Sequence, residues 1–241
     1  LEDLGHDLDL SPTPKVLQTA QPAALIVAEF AGRTCYQSHF KGRSSDDYHN
    51  HILEVGHGSV LEHASFTFHI CGVTRYLTHE LVRHRVGMGY SQLSTRYVDP
   101  AAARMVVPAA VAACGDEEFV RAYISGRYAR FKAQLSAYND TLAQVQKNFP
   151  KISKKQAQEV ARHDAPPDME TALVCTMNLR ALLHFLRQRG SIHAAAEIRA
   201  LAHAIWLITK SLAGPYLADI EWHIEKATGV PYAENVPTVS P

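Results

Sequence analysis

Between residues 117 and 148 apolar side chains recur at spacings of four and three: Ile124, Tyr128, Phe131, Leu135, Tyr138, Leu142 and Val145. That period lines them up as one stripe and predicts a single long amphipathic helix over 117–148. Gly126 is the weak point of its first turns. A second helix is expected to start near Ser153, where Ser153 and Gln156 have capping-box spacing. Pro166-Pro167 stops it.

Elsewhere the period changes. Within residues 59–73 the run SFTFHICGV alternates apolar and polar positions, as a half-buried strand does. The next run, TRYLTHELVRHR, carries Leu77, Leu81 and Val82 at helical spacing, and GMG breaks it. Residues 170–177 are strand-like, and residues 179–212 give two helical stretches around Gly190. Residues 22–30 fit either helix or strand. Residues 1–14 are polar and end in proline, so a mobile arm is expected there. The tail 229–241, with Pro231, Pro237 and Pro241, is expected to be irregular. No repeat or linker divides the rest, so one domain over 15–228 is expected.

The chain has 241 residues, 46% apolar and 20% charged, with formal net charge zero. No whole-molecule field attracts a nucleic acid polymer or a membrane surface, so any anion site must be a local cluster of bases. No apolar run approaches the ~20 residues that span a bilayer. The first residues lack the basic and apolar regions of a signal peptide. Cys35, Cys71, Cys114 and Cys175 form no CxxC pair. Two disulfides remain open, but reduced thiols in a cytoplasmic protein are the plainer reading.

Such a local cluster exists. Arg75, His79, Arg83, His84, Arg85 and Arg96 fall within 22 residues. On a continuous helix Arg75, His79 and Arg83 would share a face. A guanidinium fork suits phosphate, although a solvated basic face would look the same. Gly87 and Gly89 allow close backbone approach to a ligand; Ser91, Gln92, Ser94 and Thr95 add neutral hydrogen-bonding groups. Together these suit a nucleotide pocket. His79 and His84 imitate a zinc motif, but five residues rotate the second ring about 140° from the first, so no metal is expected. Arg162 stands at a helix end, where dipole complementarity is the plain reading. Beyond it, Arg180, His184 and Gln188 share one helical face. Arg189, His193 and Glu197 form a neighbouring stripe, for which an Arg189–Glu197 salt bridge is the structural alternative.

The runs GHGSVLEHASFTF (56–68), THELVRHRVGMGYSQLSTRYV (78–98), EVARHDAPPDMET (159–171) and NLRALLHFLRQRGSIHAAAEIRALA (178–202) resemble, in order, those of flavin-dependent thymidylate synthases. The hallmark of that family is RHR followed by seven residues and a serine. The resemblance implies an α/β (α+β) fold with long helices around an antiparallel sheet. It also implies a homotetramer with active sites shared between subunits. Its cofactor would be FAD, with NADPH as reductant and 5,10-methylenetetrahydrofolate as carbon donor, methylating C5 of a uridine monophosphate without a cysteine nucleophile. Carried over by position, Arg83, His84 and Arg85 would contact flavin and nucleotide phosphates. His57, Ser59, Glu62, Asn178, Arg180, His184 and His193 match flavin-site positions. Ser94, Thr95, Arg96, Arg162 and Arg189 match the nucleotide site, with Gln92 beside them. Arg189 would stabilise charge on the uracil ring, with Arg83 and Ser94 as its catalytic companions.

Two departures fall in that pocket. Eight residues, VGMGYSQL, separate Arg85 from Ser94 where the family has seven, and Glu80 stands where it usually has glutamine. An extra residue with two glycines would reshape a nucleotide-holding loop, and the Glu80 carboxylate could accept from a ribose hydroxyl. UMP would then be admitted as well as dUMP, as in relatives of nucleoside-antibiotic (polyoxin-type) pathways. The alternatives are a dUMP-only thymidylate synthase and a non-catalytic nucleotide- or RNA-binding protein. Few aromatics near RHR and no basic excess argue against the last.

Overall fold

The computed structural model describes residues 8–9, 15–20, 24–38 and 42–237, the first two segments as backbone. In chain order the elements begin with strands β1 (Leu8–Asp9) and β2 (Lys15–Ala20) and helices α1 (Ala24–Cys35) and α2 (Ser45–Val55). A 3-10 turn over Gly58–His63 leads into β3 (Ser65–Thr74), α3 (Arg75–Leu81) and β4 (Met88–Gln92). After a short turn at Pro100–Ala102 come β5 (Met105–Val106), α4 (Ala109–Ala112), α5 (Glu117–Asn148) and α6 (Lys154–Ala161). The chain closes with β6 (Glu170–Asn178), α7 (Leu179–Arg189), α8 (Ala196–Thr209), α9 (Pro215–Ala218), β7 (Glu221–Ile224) and β8 (Pro231–Glu234).

The main sheet is antiparallel in the order β2-β3-β6-β4. Alternation decides its faces. Phe66, Phe68 and Ile70 of β3 and Leu173, Cys175 and Met177 of β6 are buried in one core with Leu182, Phe185 and Leu186 of α7 and Leu201 and Ile205 of α8. Each fully buried large side chain contributes about 1.5–3 kcal/mol. On the opposite face the Thr67 and Thr176 hydroxyls bond at 3.0 Å, while His69 and Val174 are exposed. β3 bulges between Ile70 and Val73, and there Gly72 N donates to Glu170 Oε1 at 3.0 Å. Arg104 grips the same carboxylate through Nε and Nη2, both at 2.6 Å.

Both strand-to-helix junctions are capped by the last strand residue. Thr74 Oγ1 accepts from Leu77 N at 3.1 Å and opens α3. Glu197 receives the Thr74 N–H and hydroxyl, each at 2.7 Å. Asn178 Oδ1 accepts from Ala181 N at 2.8 Å and opens α7. Its own N–H donates to Gly87 O at 2.9 Å, tying the start of β4 to the end of β6.

A smaller core lies under α5, where Ile124, Phe131 and Leu135 meet Met105, Val107 and Met169. The long helix runs as expected, but its stripe is buried only as far as Tyr138; Leu142 and Val145 are partly exposed. The Ser153–Gln156 capping box is formed.

Several expectations are corrected. The helix after β3 ends at Leu81, so Arg83 does not continue the Arg75–His79 face; RHR lies in the turn beyond it. MGYSQ does not form a loop but supplies β4, an edge strand in unbroken register with β6. Gly190 does more than interrupt a helix: α7 and α8 are separated by residues 190–195, so Arg189 and Glu197 do not share a stripe. Part of the tail is ordered as β8, which pairs with β7 and sends Ala233 N to Gly190 O at 2.8 Å. Residues 22–30, left open between helix and strand, enter α1 at Ala24. The 1–14 arm lies outside the described residues except for Leu8–Asp9, which pairs with β5. No helix among the described residues is long and apolar enough to cross a membrane.

His49 is buried where α1, α2 and α9 meet, with Nδ1 2.9 Å from the Tyr216 hydroxyl and Nε2 3.9 Å from Glu29 Oε2. Burial holds its pKa below the ordinary value, against a smaller opposing pull from Glu29. The unfolded chain therefore takes up this proton more readily. The stabilisation is complete above the unfolded value of about 6.5 and fades as pH falls below it. Thermal melting should show the wild type losing stability from pH 7 to pH 5, and His49→Gln should flatten that fall while lowering stability at pH 7. Gly87→Ala should cost roughly 1–3 kcal/mol by denaturant unfolding, because it puts a side chain at φ +71° and sets Cβ 2.6 Å from the Asn178 amide that caps α7.

Candidate active site

A cleft of about 1110 Å³ opens between the turn after α3, the start of β4, the 3-10 turn and α7. It is lined by Glu62, Arg83, His84, Arg85, Val86, Met88, Asn178, Arg180, Ala181, Leu183, His184, Arg187, Gln188, Arg189 and Pro237. Five arginines face one glutamate, and that glutamate is already engaged by Arg180. Arg83 and Arg85 have no ion-pair partner among the described residues, so their charge is left for a ligand. The neutral chain thus gathers the RHR bases and the α7 arginines in one cleft.

Local structure explains how these groups converge. Along α7, Leu182, Phe185 and Leu186 are buried against the sheet, which turns Arg180, His184 and Gln188 outward on one face. Their spacing of four delivers the shared face expected from the sequence. The RHR turn is held from below by the Tyr90 hydroxyl on β4, which lies 2.9 Å from Leu81 O and 2.7 Å from His84 O. One proton is shared between these two carbonyls, and burial pushes the phenol pKa up. Tyr90 carries no chemistry visible in sequence; only its register on β4 reveals its role.

Arg189, at the last turn of α7, reaches across to this turn. Its Nε donates to His84 Nε2 at 2.9 Å, Nη1 to Glu80 Oε2 at 3.0 Å and Nη2 to Glu80 O at 3.3 Å. The expected alternative partner, Glu197, is bound to Thr74 instead. His84 packs edge-on against the rings of His184 and Phe185, with centroids 5.7 and 5.6 Å away. Burial, then Arg189, His184 and Arg83, push its pKa down to about 4. His84 is therefore neutral at physiological pH.

The residues matched to the nucleotide site gather elsewhere. Arg96 Nη2 pairs with Glu159 at 2.7 Å, its N–H bonds Ser94 Oγ at 3.3 Å, and Thr95 is buried beside it. Arg162, exposed at the C-terminal cap of α6, is close enough to Arg75 to lower that group's pKa, after burial as the larger cause. Gln92 Nε2 bonds Thr78 Oγ1 at 3.1 Å. Ser94 lies six residues beyond Met88, about 20 Å along extended chain, so this group sits at the far end of the sheet from the cleft. His57, Ser59 and His193 are exposed and do not line the cleft. Sequence reasoning missed Arg187, Met88, Val86 and Pro237 as lining residues. Arg187 was within reach, three positions after His184 on an outward face.

All four cysteines are free, and none lines the cleft. Cys175 is buried in the core, where loss of hydration pushes its thiol up to about 12, so it is no nucleophile. The arrangement is suited to binding and orienting an extended anionic ligand.

Comparison with known proteins agrees with this chemistry. The thymidylate synthase complementing protein family (Thy1) matches residues 15–213. A flavin-dependent thymidylate synthase of Mycobacteroides abscessus is 42% identical over 202 residues, 81% of this chain and 79% of its own. The Mycobacterium avium protein of the same name is 38% identical over 88% of this chain and 86% of its own. Among solved structures, thymidylate synthase X from Helicobacter pylori with FAD and dUMP has TM-score 0.58 and 26% identity, covering 86% of this chain and 97% of its own. The UMP/dUMP methylase PolB from Streptomyces cacaoi, bound with 5-Br UMP, shares the fold at TM-score 0.66 and 22% identity, covering 85% and 92%. With a family match over most of its length and relatives this similar, the chain belongs to the flavin-dependent thymidylate synthase family.

Proposed function

We propose that the chain reductively methylates C5 of a uridine monophosphate, UMP as well as dUMP, with FAD in the cleft, NADPH as reductant and 5,10-methylenetetrahydrofolate as carbon donor. The observation that carries this reading is the arginine-rich cleft, with Arg83 and Arg85 unpaired among the described residues. Its size and charge fit a dinucleotide diphosphate, which Arg83, Arg85, Asn178, Arg180 and His184 would hold, with His57, Ser59, Glu62 and His193 at its margin. FAD, when bound, supplies the hydride that completes the methyl group. The chain's part is to bind, orient and exclude water. Arg189 has five N–H donors, of which three are spent on His84 and Glu80. Two remain to stabilise negative charge on a uracil ring brought against it.

Ser94, Thr95, Arg96 and Arg162, with Gln92 near them, would hold the nucleotide, Arg83 and Ser94 facing the reacting ring. Their distance from the cleft of the same chain supports a site completed by a second subunit. The exposed Ile26, Val27 and Phe30 of α1 offer apolar surface for a homotetramer. UMP use is supported by two features. Glu80 keeps Oε1 free of any bond to Arg189, which takes Oε2, so a ribose hydroxyl has an acceptor to find. The extra residue before Ser94 cannot lie within the regular β4–β6 register, so it resets the chain at one end of β4, by Gly87 or by Leu93. The fold itself hosts a ribonucleotide in the Streptomyces cacaoi protein, which is bound with 5-Br UMP.

The purified protein should be yellow and bleach with NADPH; a colourless protein with salt-dependent binding to RNA would favour the non-catalytic reading instead. With labelled methylenetetrahydrofolate, both UMP and dUMP should gain label at C5. Label in dUMP alone would reduce the proposal to an ordinary thymidylate synthase. Arg83→Ala should weaken FAD binding by roughly tenfold or more, the scale of one lost charge-assisted contact, as read by flavin fluorescence.

A further inference from the structure

Arg189 makes three bonds, two to Glu80 in the last turn of α3 and one to His84 in the RHR turn, and they have a consequence for His84. A guanidinium only donates, so the contact from Arg189 Nε requires His84 Nε2 to accept. The imidazole proton must then sit on Nδ1, which has no partner among the described residues although His84 lines the cleft. His184 and Phe185 stand edge-on to the ring and hold its plane. Arg189 is fixed in turn by Glu80, which takes Nη1 on its carboxylate and Nη2 on its backbone carbonyl.

We propose that Glu80 is a positioning residue: through Arg189 it locks His84 as the neutral Nδ1–H tautomer, so that the cleft receives one uncharged donor among its arginines. This rests on the reading of the cleft as the FAD site and assigns that donor to an acceptor atom of the flavin. A neutral donor adds direction without adding a sixth positive charge, which suits a ring oxygen or nitrogen better than a phosphate. Glutamate strengthens the hold beyond what an amide would give, since its bond to Arg189 is charge-assisted. Glu80 therefore has a role independent of any contact with ribose.

The test uses 15N-histidine-labelled full-length protein without FAD, with His84→Asn to assign the signal. At pH 7 the wild type should show His84 protonated on Nδ1 and bare on Nε2, persisting down to about pH 5. Glu80→Ala should give a mixture of Nδ1–H and Nε2–H tautomers, and Glu80→Gln should recover the Nδ1–H form. FAD titration should then find Glu80→Ala weakened by about tenfold. His84→Asn, whose amide stands where Nδ1–H was, should bind FAD more tightly than His84→Gln. An Nε2–H or doubly protonated His84 in the wild type at pH 7, or an unchanged tautomer in Glu80→Ala, overturns the proposal. If no variant and no wild type takes up FAD while the tautomers behave as described, the relay stands and the flavin reading of the cleft fails.

Discussion

The antiparallel pairing of β3 with β6 sets the position of almost everything else. Because the strands run in opposite directions, Ser65 faces Asn178 at one end and Thr74 faces Glu170 at the other. Each strand hands its chain directly to a helix, α3 after Thr74 and α7 after Asn178, so two capped helix starts lie at opposite ends of one ladder. α3 then travels back along the sheet for seven residues, about 10 Å, and delivers the RHR turn to the end where α7 begins. The cleft exists because these two chain directions meet there.

The same geometry separates the charged groups. Bases on α7 and in the RHR turn collect at the Asn178 end, whereas Arg75, Arg96 and Arg162 collect at the Thr74 end. Pairing is partial at both ends. At the far end Arg96 pairs with Glu159, and in the cleft Arg180 pairs with Glu62 and Arg189 with Glu80, while Arg83 and Arg85 have no ion-pair partner among the described residues. Local charge is thus concentrated on a turn whose backbone is fixed by Tyr90 and Asn178.

Much of this was legible in the sequence wherever a period was long or a cap was specific. SFTFHICGV and the α5 stripe declare themselves by periods of two and of 3.6, and Ser153 with Gln156 marks its helix start by reciprocal bonding that needs only local chain. The β4 strand was not legible, since two glycines and polar residues give no apolar alternation; its pairing comes from β6. α3 was overextended because Val82 keeps the helical spacing after the carbonyls of Leu81 and His84 have turned to the Tyr90 hydroxyl. The partners of Arg189, and the Tyr216 hydroxyl that meets His49, come from segments more than a hundred residues away in sequence. The Arg189–Glu197 alternative failed because it assumed one continuous helix. The candidate residues themselves were found largely through motif resemblance, and their division between two ends of the sheet is a property of the fold alone.

The bond from Asn178 N to Gly87 O joins the RHR turn to the residue that caps α7. Turn and helix therefore share a cooperative unit: a fluctuation that lifts the turn also strips the helix of its first-turn acceptor. An anion that quiets Arg83 and Arg85 would reach the helix amides as well, and their exchange with solvent would slow together with those of the turn. Occupancy of the cleft is in this way written into the rigidity of the helix that forms its wall.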